Sequence, residues 1–246
     1  MRLEGKTAIV TGAGSGFGAG IARVFAREGA NVMVADLNGD AAAEIAAEIG
    51  GIAQTVDVAD GTSVAAMTRA AMDAWGRIDI LINNAGITHL PAPLEDVSEA
   101  DFDRVLAVNA KSVYLTAREI VPLMRAAGTG AILNVASTAG LSPRPMLNWY
   151  NASKGWMITA TKTMAVELAP AGIRVNAICP VAGETPLLAS FMGEDTPEIR
   201  ARFLSTIPLG RFSQPQDMGE AAAFLCSDAA SMITGVALEV DGGRCI

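Results

Sequence analysis

Residues 7–18 read TAIVTGAGSGFG, and this stretch decides the fold of the chain. The apolar, β-branched run at 7–11 is typical of a buried strand, and the glycine-rich turn after it leads into an alanine-rich segment of helical period. A strand, a glycine turn and a helix in this order predict the first unit of a parallel α/β sheet. The turn and the helix N-terminus would then present free backbone N–H groups.

Six further apolar runs repeat this pattern at intervals that suit strand–helix–strand crossovers. The seven predicted strands span residues 7–11, 31–36, 52–57, 78–83, 131–137, 174–179 and 236–240. Most are apolar throughout rather than alternating, which is typical of strands covered on both faces. The sequence therefore predicts an α/β fold: a single-domain, Rossmann-type, doubly wound parallel seven-stranded sheet with helices on both faces.

Segments of helical period separate the predicted strands. They place helices at residues 16–28, 40–50, 63–75, 98–127, 150–168, 197–205 and 214–227. Pro122 lies inside the fourth and predicts a kink or a tighter turn, because proline lacks the N–H that an α-helix uses. The stretch 181–208 is the least regular, rich in Pro and Gly, and follows the carboxyl end of a strand. It predicts a mobile substrate lid.

The composition agrees with one domain over residues 1–246. Apolar residues make up 51% and charged residues 18%, which excludes disorder. The net charge of −8 argues against nucleic acid and anionic membranes as partners. Three cysteines without a CxxC pair and one histidine argue against a disulfide scaffold or a metal centre, and no apolar run approaches the ~18 residues of a membrane span. We therefore expect a cytoplasmic protein without a metal.

The glycine turn has the features of a dinucleotide-binding site. Gly12, Gly16 and Gly18 allow a tight turn, close approach of the backbone to a pyrophosphate and close packing of the helix. Ser15 and Phe17 belong to the same turn and are included in the predicted cofactor site. A purely structural strand-to-helix turn is the alternative interpretation.

Asp36 ends the second predicted strand, 18 residues after Gly18. A carboxylate there can accept hydrogen bonds from the adenosine ribose hydroxyls and repel a 2′-phosphate. Its neighbours Leu37 and Asn38 are neutral, so no adjacent cation offsets that repulsion. The sequence therefore predicts NAD rather than NADP, the alternative being that Asp36 only caps the following helix.

The ends of the third and fourth predicted strands fall at the same sheet edge as the glycine turn. The residues concerned are Asp57, Val58, Asn83, Asn84, Ala85 and Gly86. Asp57 can accept from an adenine amino group, Val58 can cover the ring, and the small residues let the backbone approach a ribose. Each motif alone is also an ordinary turn signal.

Tyr150 and Lys154 stand four residues apart at the start of a predicted helix, which puts them on one face. A phenol titrates near ~10, so an adjacent ammonium group or an oxidised nicotinamide is needed to favour phenolate. Ser137, at the end of the fifth strand, could donate to a substrate oxygen. Asn109, mid-helix, could hold a water that links Lys154 to solvent, or could be a buried amide bonded to backbone. The Tyr–Lys pair alone could also be a solvated helix face.

Taken in order, these motifs give the chain an end-to-end resemblance to the short-chain dehydrogenase/reductase family, supported by residues 176–180 and 241–243. The resemblance implies that Tyr150 is the general acid/base and that Lys154 binds the nicotinamide ribose and lowers the phenol pKa. It also implies that Ser137 orients the substrate and that Asn109 anchors a relay water. Family members are usually homotetramers, so the resemblance implies a homotetramer here.

The same resemblance implies that Pro180, Gly183 and Thr185 surround the nicotinamide. This chain departs from the family pattern at Val181, where members usually have glycine directly after the proline. We expect Val181 to narrow the substrate side of the pocket.

The predicted substrate pocket mixes apolar groups with few charged ones. Its candidate residues are His89, Leu90, Ser142, Met146, Trp149, Leu187, Leu188, Phe191 and Met192. This favours a secondary alcohol, a polyol or a neutral ketone over a strongly anionic substrate, and predicts an oxidoreductase that transfers hydride between NAD(H) and such a compound.

Two alternatives remain open. A 3-oxoacyl-acyl-carrier-protein reductase would need NADP and a basic surface, which Asp36 and the net charge oppose. A non-catalytic redox sensor that binds dinucleotide would have lost the serine, tyrosine or lysine, and all three are present.

Overall fold

The computed structural model describes residues 1–246 and contains one seven-stranded, wholly parallel sheet. The strands are β1 (Thr7–Thr11), β2 (Asn31–Asp36), β3 (Ile52–Thr55), β4 (Ile80–Asn83), β5 (Gly130–Val135), β6 (Ile173–Pro180) and β7 (Ala237–Val240). Their order across the sheet is β3-β2-β1-β4-β5-β6-β7. The predicted fold class is confirmed, and the strands differ from the predicted bounds by at most two residues at either end.

Helices cover both faces of the sheet. They are α1 (Gly16–Arg27), α2 (Gly39–Ile49), α3 (Gly61–Trp75), α4 (Glu99–Leu106), α5 (Ser112–Ala127), α6 (Asn148–Leu168), α7 (Leu188–Met192), α8 (Pro197–Leu204) and α9 (Pro215–Cys226). Within β1, Ala8 and Val10 pack in one apolar cluster with α1 and α9, while Ile9 packs in another with α3 and α5. The alternating side chains of a strand thus explain why the predicted strands are apolar throughout.

The predicted helix 98–127 is divided at a different place from the one expected. Helix α5 continues through Pro122, because Ile120 and Met124 on either side of it are fully buried in the core. The irregularity lies upstream, in a wide π turn at Ala107–Lys111 that joins α4 to α5. The kink predicted at Pro122 is therefore replaced by this turn, which contains Asn109.

Strand β1 pairs with both β2 and β4, so the direction of the chain connections reverses between them. At such a point the loops beyond the carboxyl ends of the strands separate and leave a crevice. The glycine turn follows β1, and the ends of β4, β5 and β6 meet it at the same edge. None of the helices combines the length and the hydrophobicity that a membrane crossing requires.

Candidate active site

A cavity of about 440 Å³ lies at this edge of the sheet, a volume typical of small-molecule sites. Most of the residues predicted to bind cofactor or substrate line it. They are Gly12, Ser15, Gly16, Phe17, Asp36, Asp57, Val58, Asn84, Ala85, Gly86, Ser137, Tyr150, Lys154, Pro180, Gly183 and Thr185. Residues more than 140 positions apart in the sequence therefore face one space.

Gly18, Asn83 and Asn109 were also predicted for the site and do not line the cavity. A side chain at Gly18 would come within 2.1 Å of the Gly12 carbonyl oxygen, so Gly18 allows α1 to pack on the glycine turn. Asn83 is buried, donates to Asn134 Oδ1 at 2.9 Å and accepts from Thr116 Oγ1 at 2.8 Å. Its role is to connect β4, β5 and α5 in the core.

Asn109 is fully buried and all of its amide hydrogen-bonding groups are engaged. Its Oδ1 accepts from Ile87 N, and its Nδ2 donates to the Ile87 carbonyl and to Ser153 Oγ, at 2.9 to 3.0 Å. The side chain is thus the buried amide bonded to backbone that the sequence left as an alternative. It fixes the chain beyond Gly86 against α6.

The glycine turn is shaped to bring backbone close to a ligand. Gly12 and Gly16 have φ of 61° and 55°, a region that favours glycine. Ser15 is the N-cap of α1, and its side chain does not occupy the N–H groups of the first turn. Asn84 Nδ2 donates to the carbonyls of Thr11 and Gly12 at 2.8 and 2.9 Å, which ties the end of β4 to the turn. The free N–H groups form an anion site suited to a pyrophosphate.

Asp36 is held at the other wall of this turn. Its Oδ2 accepts from Gly14 N at 2.8 Å and its Oδ1 from Asn38 N at 2.9 Å. The cap of α2 is Asn38, whose side chain accepts from Ala41 N, so Asp36 is not the capping acid. Its carboxylate is therefore oriented by backbone and lines the cavity.

Tyr150 lies in the first turn of α6, buried, with the Phe191 ring edge-on at 5.0 Å between centroids. Burial raises the pKa of Tyr150 to about 12, while the Ser137 hydroxyl and the Arg144 charge act in the opposite direction. The prediction that Lys154 lowers this pKa is not what this structure gives. The net direction is upward, because desolvation by the apolar surroundings outweighs the nearby polar groups.

Lys154 is equally buried, and its Nζ donates to the Val135 carbonyl at 2.8 Å. The Nζ lies 5.9 Å from the centroid of the Tyr150 ring. Burial lowers the pKa of Lys154 to about 8. A side chain at Gly86 would come within 3.2 Å of Nζ, so glycine there keeps the ammonium group open to the cavity.

Ser137 lies two residues past β5 and caps a short 3₁₀ turn, Thr138–Gly140. Its Oγ accepts from Ala139 N at 3.0 Å, which leaves its own O–H to donate toward Tyr150 or a substrate oxygen. The segment after β6 packs on the glycine turn, since a side chain at Gly183 would meet the Phe17 ring at 2.4 Å. Val181 reaches the cavity and is also buried in a small apolar cluster with Leu188 and Phe212.

The predicted substrate pocket is only partly correct. Leu187 and Phe191 line the cavity, whereas His89, Leu90, Ser142, Met146, Trp149, Leu188 and Met192 do not. His89 is buried beneath its own loop, with Nδ1 2.8 Å from the Leu90 carbonyl oxygen. The solvated or substrate-facing histidine expected from the sequence is therefore replaced by a packed one.

The sequence analysis missed Arg144 and Phe203, which both line the cavity. The Arg144 guanidinium carbon stands 4.5 Å from the centroid of the Phe203 ring. A signal was available, because Arg144 is the only charged residue between Arg125 and Lys154. A pocket with a guanidinium group in its wall contradicts the reasoning that opposed an anionic substrate.

Fold and site together define a Rossmann-type oxidoreductase with a tyrosine and a lysine at its reactive end. A family model described as enoyl-(acyl carrier protein) reductase matches residues 12–244. The chain belongs to the short-chain dehydrogenase/reductase family, which confirms the resemblance seen in the sequence.

Similar proteins span nearly the whole chain. The crystal structure of a 3-ketoacyl-(acyl-carrier-protein) reductase from Brucella melitensis complexed with NADH has a TM-score of 0.95 and 51% identity, covering 99% of this chain and 100% of that one. A 4-formylbenzenesulfonate dehydrogenase of Comamonas testosteroni is 50% identical over 99% of each chain. A D-threitol dehydrogenase of Mycolicibacterium smegmatis is 42% identical over 100% of this chain and 95% of its own length.

Proposed function

We propose that the protein is an NAD(H)-dependent oxidoreductase that interconverts a small alcohol and its carbonyl compound, with Tyr150 as general acid/base. The observation that supports this most directly is that one cavity has the Asp36 carboxylate at one end and Tyr150 with Lys154 at the other. The first feature suits a ribose without a 2′-phosphate, and the second suits a hydroxyl or carbonyl group.

The residues present fit NAD. Free N–H groups at the start of α1 accept the pyrophosphate charge, and Asp36 accepts from the adenosine ribose. Leu37 and Val58 lie beside the adenine position, and Pro180 and Thr185 beside the nicotinamide position. When bound, NAD supplies the acceptor or donor of the two-electron hydride.

The side chains provide the proton and the orientation. With a pKa of about 12, Tyr150 is protonated at neutral pH and donates its proton to a carbonyl oxygen during reduction. In the oxidative direction the phenolate takes the proton of the alcohol. Ser137 donates to the same substrate oxygen, and Lys154 donates to the nicotinamide ribose from a position fixed by the Val135 carbonyl. Because the Asn109 amide is engaged elsewhere, a relay water would use its main-chain carbonyl.

The test is an absorbance assay of the reduced cofactor at neutral and alkaline pH, with NAD and NADP in parallel. The panel would include secondary alcohols, sugar alcohols, benzyl alcohols and the matching carbonyl compounds. We expect turnover with NAD at much higher kcat/KM than with NADP. Absence of turnover with every alcohol and carbonyl, in a protein that binds NADH, would contradict the proposal.

A second candidate is a 3-oxoacyl thioester reductase, favoured by the 51% identity to a structure described by that activity and complexed with NADH. The net charge of −8 opposes docking of an acidic carrier protein. Acetoacetyl thioesters in the same assay distinguish the two, because the thioester should be the best substrate only in this case. A non-catalytic sensor has no support, since Ser137, Tyr150 and Lys154 all line the cavity.

We also propose that the chain assembles as a homotetramer in the cytoplasm. Support comes from apolar side chains left exposed on α5 and α6, among them Tyr114, Trp156 and Val166. Light scattering of the purified protein should give a mass four times the 25.3 kDa of the chain, and a monomer would contradict the proposal.

A further inference from the structure

The loop between β5 and α6 holds a guanidinium group at the substrate end of the cavity. Arg144 lies six residues before Tyr150, and its main-chain carbonyl accepts from Asn151 Nδ2 at 2.7 Å. Asn151 is the neighbour of Tyr150 on α6, so this bond links the position of the loop to that of the reactive phenol. The backbone that presents Arg144 is therefore held in place without any ligand.

Arg144 has no acidic partner. None of the ion pairs in the structure includes Arg144 or Arg244. The face of the Phe203 ring supports the guanidinium group, an arrangement that leaves its N–H donors available at the edge. Burial lowers the pKa of Arg144, and the charge of Arg244 lowers it further. An arginine nevertheless stays protonated in proteins, so this is an uncompensated cation in a partly buried position.

A second unpartnered arginine reinforces the positive charge there. Arg244 lies near the chain end, and its Nε is buried without a hydrogen-bond partner. The nearby Asp241 carboxylate does not neutralise it, because both oxygens accept from backbone, one from Gly243 N and the other from Cys245 N. Two close cations without a carboxylate between them cost free energy unless an anion binds.

We propose that Arg144 determines substrate specificity by binding a carboxylate or sulfonate group of the substrate, while Phe191, Phe203 and Leu187 contact its apolar body. The proposal rests on the function proposed above and names the substrate class: a small alcohol or aldehyde with an aromatic or other apolar body and an anionic substituent. The substrate must be small, because Arg144 lies close enough to Tyr150 for its charge to lower the pKa of the phenol.

Anion binding can be measured without turnover. Isothermal titration of benzenesulfonate and benzoate into the NADH-loaded protein should show binding for the wild type and a loss of about 10- to 100-fold in affinity for Arg144→Gln. The matched control is Arg202→Gln, which removes one exposed cation from the same region, on α8, and should bind as the wild type does. Equal affinity of the wild type and Arg144→Gln, or no binding to either, would overturn the proposal.

Kinetics separate this proposal from the function on which it rests. With 4-formylbenzoate or 4-formylbenzenesulfonate, Arg144→Gln should lower kcat/KM by about 10- to 100-fold, mainly through KM. With unsubstituted benzaldehyde the same variant should stay within about threefold of the wild type. Loss of both substrates alike would identify Arg144 as structural and overturn its specificity role. If no aldehyde or alcohol reacts at all, the proposed function fails and the titration alone decides the anion site.

Discussion

The two ends of the cavity are built in different ways. At the cofactor end, backbone groups dominate: Gly14 N orients Asp36, and Asn84 ties β4 to the carbonyls of the glycine turn. At the substrate end, side chains from separate segments meet: Tyr150 from α6, Phe203 from α8 and Arg144 from a loop. Recognition of the cofactor is thus part of the fold itself, whereas recognition of the substrate can change by substitution in loops and short helices.

The largest effect should come from Tyr150→Phe, which tests the chemical end alone. Removing the hydroxyl removes the proton donor, so kcat should fall by about 10³-fold or more. NADH affinity, measured by fluorescence titration, should change little, because the glycine turn and Asp36 are untouched. A variant that keeps a tenth of its activity would show that another group transfers the proton.

Gly18→Ala tests whether the cofactor end is inseparable from the fold. The new methyl group would lie 2.1 Å from the Gly12 carbonyl oxygen and 2.4 Å from Asn84 Nδ2. We expect a loss of about 3 kcal/mol in the free energy of unfolding, measured by urea denaturation. The control is Gly155→Ala in α6, where the nearest atom would be 3.7 Å away and stability should hold or rise. Equal stability of both variants would break the comparison.

Asp36→Ala acts on the cofactor end by charge rather than by shape. The ratio of kcat/KM for NAD to that for NADP should fall by about tenfold or more, because repulsion of the 2′-phosphate is lost. Asp36→Asn keeps an oxygen that can accept from Gly14 N, so it separates loss of charge from loss of the hydrogen bond. An unchanged ratio in both variants would show that other groups select the cofactor.

The smallest expected effect is a pH dependence at the junction of the two ends. Burial lowers the pKa of Lys154 to about 8, so its ammonium form is present below that pH and is lost above it. Initial rates of carbonyl reduction should be flat between pH 6 and 7 and fall to about half near pH 8. Tyr150 remains protonated throughout this range and contributes no loss. A profile that stays flat to pH 10 would contradict the role of Lys154.

The sequence predicted most of the cofactor end because its signals are local. Gly12, Gly16 and Asp36 follow strands directly, and parallel strands bring their carboxyl ends to one edge. Gly18 and Asn83 carry similar signals but point into packing, a distinction that depends on neighbouring strands and helices.

The substrate end was harder to predict because its contacts are made between distant segments. Arg144 meets Phe203 across 59 positions, and no periodicity in either segment announces the pair. His89 was assigned to the pocket for its chemistry alone, yet the fold buries it. A charged residue that interrupts a long uncharged stretch is the signal that would have found Arg144.

The wide turn at Ala107–Lys111 has a consequence for changes in chain length. A π turn accommodates one residue more than an α-helical turn, so deleting a single residue there would leave a continuous helix. Every later side chain would then rotate by about 100° around the axis. Thr116 would turn away from Asn83, and Ile120 and Met124 would turn away from the core. Such a deletion should lower the melting temperature far more than any conservative replacement at the same five positions, which makes this turn a point where the chain accepts new letters but no lost ones.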